Sequence, residues 1–179
     1  LKLNSDLNYC KRICQRWSEI AETNTITDIA NLALEMMVDE LGYEYAVVFV
    51  HEEESSLYKA CLHRGYSDFI DLQMLQDFQV HLSDGVIVKI RNACEPIVHT
   101  SNNPVLEVQS LLHKLHMRVA VLSAFGSEDA APFGFVVVGN SDAEATRQFI
   151  DDERAIGALN NLFIHLSHTC LLYTSDAAD

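Results

Sequence analysis

The chain has 179 residues, enough for one domain with its own core, and 49% of them are apolar and 21% charged, an ordinary globular balance. A formal net charge of -14 sets the surface against phosphate backbones and anionic lipid, so neither nucleic-acid nor membrane contact is expected of this segment. No stretch reaches the roughly 18 to 20 apolar residues that cross a bilayer, and Cys10, Cys14, Cys61, Cys94 and Cys170 show neither paired CxxC spacing nor a disulfide ladder, which fits a reducing cytoplasm.

The first residues lack both an initiator Met and the order of a signal peptide, so the chain is expected to be cut from a longer one. Leu3, Leu7, Cys10, Cys14, Trp17 and Ala21 recur at steps of four and three, which predicts a linker helix over 1–22 with a heptad seam. That seam either packs on its own domain or continues as a parallel coiled coil. Cys10 and Cys14 on it are either small core residues or a redox pair across two copies.

Thr25 or Thr27 caps the next expected helix, with Asp28 in its first turn. Ile26, Ile29, Ala33, Met36, Met37 and Leu41 make its apolar face, and Gly42 stops it. Residues 45–50 are a continuous apolar run, as in a central strand buried on both faces. Glu52, Glu53 and Glu54 open a polar turn, and 57–63 is the returning strand. A short helix over 67–77, a strand over 78–82, a helix from Asp84-Gly85 to Ala93 and a strand over 97–99 follow. Pro104 starts a helix ending near His116, residues 118–125 and 133–138 are two more strands, and a last helix begins near Thr146. Strand pairs adjacent in sequence favour an antiparallel sheet, and the helices must cover it, giving an α+β layered domain. The last ten residues, 170–179, resemble a translated reading frame of a common sequencing adapter and are treated as a non-native tail.

Four patches in order resemble the GAF family over residues 23–169. They are the apolar strand and acidic turn from Tyr45 to Glu54, and the stretch from Gly85 to Val98 with Glu95-Pro96-Ile97-Val98 at its end. The third is Arg118 to Phe125 followed by Pro132-Phe133-Gly134-Phe135-Val136, and the fourth is Phe149-Ile150-Asp151-Asp152-Glu153. Val88, Cys94, Val119 and Ala124 depart from the family pattern, and the bulk at Val88 and Cys94, two former glycines, narrows the expected pocket.

The resemblance implies a PAS-like antiparallel sheet of about six strands with helices on both faces. It implies a cytoplasmic sensor domain that dimerises through its N- and C-terminal helices and relays ligand state to an output domain. That output would be a histidine kinase of a two-component system, a diguanylate cyclase or a transcription regulator. It also implies a small molecule held over the sheet, with Phe49, Arg64, Val86, Ile87, His113 and Val119 as the expected contacts. A cyclic nucleotide would meet backbone N–H groups at Val86 and Ile87, with Arg64 on its phosphate.

The expected helix before Arg118 carries no Cys over 105–113, so covalent bilin is not expected. His113 with His116, and His165 with His168, have i, i+3 spacing, but no carboxylate or Cys completes a haem or metal set. His81 and His99 are no better placed as haem ligands, and Leu166-Ser167-His168-Thr169 resembles a phosphoacceptor step inside the expected closing helix. A ligand-free dimerisation module is the main alternative. A methionine sulfoxide reductase of the same fold would need a Cys where Val86, Ile87 and Val88 stand, so no enzyme activity is expected of the domain itself.

Overall fold

Tyr45-Ala-Val-Val-Phe-Val-His51 is rich in β-branched and aromatic residues and carries no turn former, so it extends as β1 (Tyr45–His51). Its four inner residues from Ala46 to Phe49 are buried on both faces, as a central strand requires. The computed structural model describes residues 26–52, 55–67, 73–75, 77–81, 97–100, 106–125 and 132–141. Five further strands join β1: β2 (Leu57–Arg64), β3 (Gln79–His81), β4 (Ile97–Thr100), β5 (Val119–Phe125) and β6 (Gly134–Asn140). They form one six-stranded sheet in the order β3-β2-β1-β6-β5-β4, antiparallel at every pairing. The expected α+β architecture is therefore present, with each strand within a residue or two of its expected place. The expected helices over 1–22, 84–93 and from 146 onward, and the tail, lie outside the described residues.

Strand alternation sorts the core into two clusters. Ala46, Val48, Val121, Phe125, Val136 and Val138 face α1 (Ile26–Glu35) and its continuation. Val47, Phe49, Ala120, Leu122, Phe135 and Val137 face α2 (Leu106–Lys114). Helices thus cover both faces.

The first helix departs from the expected plain α-helix. Over Met36–Glu40 it widens into a π-helix, closed by Leu41 N–H donating to the Met36 carbonyl at 2.9 Å. The wider turn buries Met36, Met37 and Leu41 together, and Gly42, at φ 84, ends it in a conformation that a Cβ would resist.

A register shift between Val48 and Phe49 leaves Cys61 as the extra residue of a β-bulge on β2. Gly134 is required by close approach: a Cβ there would sit 2.3 Å from the Phe49 carbonyl oxygen and 2.4 Å from the Phe125 ring. At one end of the sheet, Glu44 accepts hydrogen bonds from the Ser141 N–H at 2.8 Å and hydroxyl at 2.6 Å, while its own N–H donates to Asn140 Oδ1 at 2.7 Å. Burial raises the Glu44 pKa, but these Ser141 bonds outweigh it and leave the carboxyl below its usual range. Among the described residues no helix is long and apolar enough to cross a membrane.

Candidate functional site

The α2 face is built on aromatic side chains. Phe49 stacks on Phe135 with centroids 4.6 Å apart, meets Phe78 edge-on at 5.5 Å, and Tyr58 meets Phe135 at 5.5 Å. The Tyr58 hydroxyl donates to the Pro132 carbonyl at 2.9 Å, so the ring is held with its polar atom satisfied.

Helix α2 seals this layer because Val108, Leu111, Leu112 and Leu115 recur on one face. Glu107 in its first turn and Lys114 in its last complement the helix dipole. It ends in a Schellman motif: Met117 N–H donates to the Leu112 carbonyl at 2.9 Å and His116 N–H to His113 at 3.1 Å. His116 takes the left-handed position at φ 56, where glycine is usual. Tyr66 ties the same corner down, its hydroxyl donating to the Leu115 carbonyl at 2.8 Å.

The seal is incomplete beside β3. There α2 and the sheet edge leave an open groove of about 310 Å³. Phe78, Val80, Leu106 and Leu111 give it apolar surface, Glu107, Ser110 and Lys114 line it from the helix, and Gln79 completes the wall. The Lys114 ammonium lies 5.0 Å from the centre of the Phe78 ring. Leu106, 74% exposed, forms an apolar lip.

Of the expected contacts, the four within the described residues do not line this groove. Phe49 lies beneath the α2 layer as a fully buried core residue. Arg64 is on the opposite face, because its pairing with Ala46 aligns it with the α1 side; its guanidinium meets Asp39 at 2.5 Å and Glu35 at 3.5 Å. Val119 pairs with Asn140 at the start of β5 and, by alternation with Val121, also faces α1. His113 is on the exposed side of α2, outside the groove lining. Val86 and Ile87 lie outside the described residues. Sequence reasoning missed the groove residues, although Leu106 offered one signal: a large apolar side chain off the buried stripe of its helix.

Cys61 is the one cysteine within the described residues. Its thiol donates to the Val48 carbonyl at 3.4 Å, and burial pushes its pKa up to about 11. Burial also lowers the His63 pKa. Among the described residues no three His, Cys, Asp or Glu side chains converge in a way that would hold a metal ion.

Solved structures share this architecture over nearly the whole chain. The chain is similar to the GAF domain of a phosphoenolpyruvate-protein phosphotransferase from Coxiella burnetii, with 15% identity, 97% of this chain and 98% of that one covered, and a TM-score of 0.71.

The fold is that of GAF domains.

The same GAF fold relates the chain to free methionine-R-sulfoxide reductase from Neisseria meningitidis in complex with its substrate, at 15% identity, 94% and 91% coverage and a TM-score of 0.67. It also relates it to the GAF domain of a putative sensor histidine kinase from Pseudomonas syringae pv. tomato, at 14% identity, 99% and 97% coverage and a TM-score of 0.60. No protein-family model and no curated protein matches the sequence.

Proposed function

We propose that this chain is the sensory, regulatory GAF domain of a cytoplasmic multidomain signalling protein, and that it takes a small molecule in the groove between β3 and α2. The groove carries the reading. Its volume of about 310 Å³ falls at the small end of ligand sites, roughly 300 to 1,000 Å³, and it combines apolar surface with a few polar groups, as such sites do. Occupancy would favour one placement of α2 against the sheet over another. Terminal helices shared by two copies would pass that preference to an output domain such as a histidine kinase or a diguanylate cyclase. Such coupling requires the ligand to bind the two placements with different affinity.

The similarity to a methionine sulfoxide reductase does not transfer easily to Cys61. A thiol with a pKa of about 11 is almost wholly protonated at neutral pH and is a weak nucleophile. A ligand-free dimerisation module is the second reading, favoured by the aromatic packing of Phe49, Tyr58 and Phe135 between sheet and helix.

The test is thermal unfolding of the 179-residue chain against a panel of small metabolites and cyclic nucleotides, in parallel with Ser110→Trp, which fills the groove. A ligand at 100 times its Kd stabilises the folded state by about 2.7 kcal/mol. A saturable rise in Tm that Ser110→Trp abolishes is the expected result. A stable dimer with no shift across the panel would favour the dimerisation module.

A further inference from the structure

The groove has an electrical and a backbone polarity that bear on what it binds. Glu107 and Lys114 stand seven positions apart on one stripe of α2, two helical turns or about 10 Å along the axis. Among the described residues Glu107 and Ser110 have no hydrogen-bond or ion-pair partner, and Lys114 has only the Phe78 ring. One end of the groove thus offers a negative charge, the other a positive one, with a hydroxyl between them.

The facing wall is a sheet edge. β3 is terminal in the sheet, paired only with β2 among the described residues. Ala60 N–H donates to the Phe78 carbonyl at 3.4 Å, so the backbone of Phe78 is turned toward β2. Antiparallel alternation then turns the N–H and carbonyl of Gln79 outward. The same alternation presents Phe78 and Val80 to the α2 layer, in which both are buried.

We propose that the groove binds a short unblocked peptide, of tripeptide size, with apolar side chains, lying extended along the outer edge of β3. The proposal rests on the groove being the ligand site. Three extended residues span about 10 Å, which matches the separation of the two charges. The peptide ammonium pairs with Glu107, its carboxylate with Lys114, its backbone with Gln79, and an apolar side chain enters between Val80, Leu106 and Leu111. Strand addition supplies the affinity common to all such peptides, and the charged ends set length and direction. The helix dipole opposes both end contacts, but it amounts to about half a charge against a full one on each side chain. At the C-terminal end, the Leu112 and His113 carbonyls are already engaged by Met117 and His116.

The experiment is isothermal titration of the 179-residue chain with the tripeptide Ala-Leu-Ala, its N-acetyl form and its C-terminal amide. The free peptide is expected to bind, and each cap to weaken binding about threefold to tenfold. Glu107→Gln should remove the penalty for acetylation alone, and Lys114→Met the penalty for amidation alone. Both substitutions are on the exposed side of α2, and Met keeps an apolar stem over Phe78. Equal binding of free and doubly capped peptide, or penalties that persist in the variants, would overturn the proposal. If cyclic nucleotides or other metabolites bind in a manner blocked by Ser110→Trp while the tripeptide does not, the groove remains a ligand site and the peptide assignment fails. If neither binds, both readings fail.

Discussion

The two faces of the sheet are closed by different means. On the α1 face, aliphatic and Met side chains of the helix meet small and β-branched strand residues together with Phe125, and Arg64 joins the rim to Asp39 and Glu35. On the α2 face, stacked aromatic rings fill the centre, and the rim is open beside β3. Both layers are buried and apolar at the middle, and they differ again at their edges. A face ended by ion pairs within the chain leaves its charges engaged, whereas the open rim leaves Glu107 and Lys114 available to a ligand.

The largest expected effect tests the centre of the α2 face. Phe49→Ala removes a ring in contact with Phe135 and Phe78, at a position with no solvent exposure. Loss of about 3 to 5 kcal/mol of stability is expected in urea unfolding. Met36→Leu, at an equally buried site of the α1 face, should cost less than about 1.5 kcal/mol, because the volume is kept. A loss at Met36→Leu as large as that at Phe49→Ala would mean that the α1 layer does not tolerate even a volume-conserving exchange.

Gly134→Ala probes the α1 face from the backbone. The added Cβ would point, by alternation with Val136 and Val138, into the space of the Phe125 ring and against the Phe49 carbonyl. Overpacking of this kind costs about 1 to 3 kcal/mol. A variant as stable as the parent would mean that Phe125 moves aside freely and that this layer is looser than it looks.

Much of this architecture was legible because its signals are local. The apolar run at Tyr45 and the stop at Gly42 each act within a few positions, and each stands where the sequence reading placed it. The π-helical turn was not legible, since Met36 and Met37 are equally compatible with an α-helical face. The groove was hidden for a different reason. Its walls come from segments about 30 residues apart, joined by tertiary packing alone. Arg64 was expected at a ligand phosphate from its place just after β2; counting alternation back from its partner Ala46 puts it on the α1 face, away from the groove.

The smallest effect is expected at that arginine. Arg64 pairs with Asp39 and Glu35 while remaining 39% exposed, so water screens much of the attraction. Arg64→Gln should lower stability by no more than about 1 kcal/mol, and the deficit should shrink as salt is raised. Ligand affinity at the groove should be unchanged, because Arg64 acts on the other face. If Arg64→Gln instead weakens binding tenfold without loss of stability, the two faces are not independent, and the α1 layer with its π-helical turn is part of the switch.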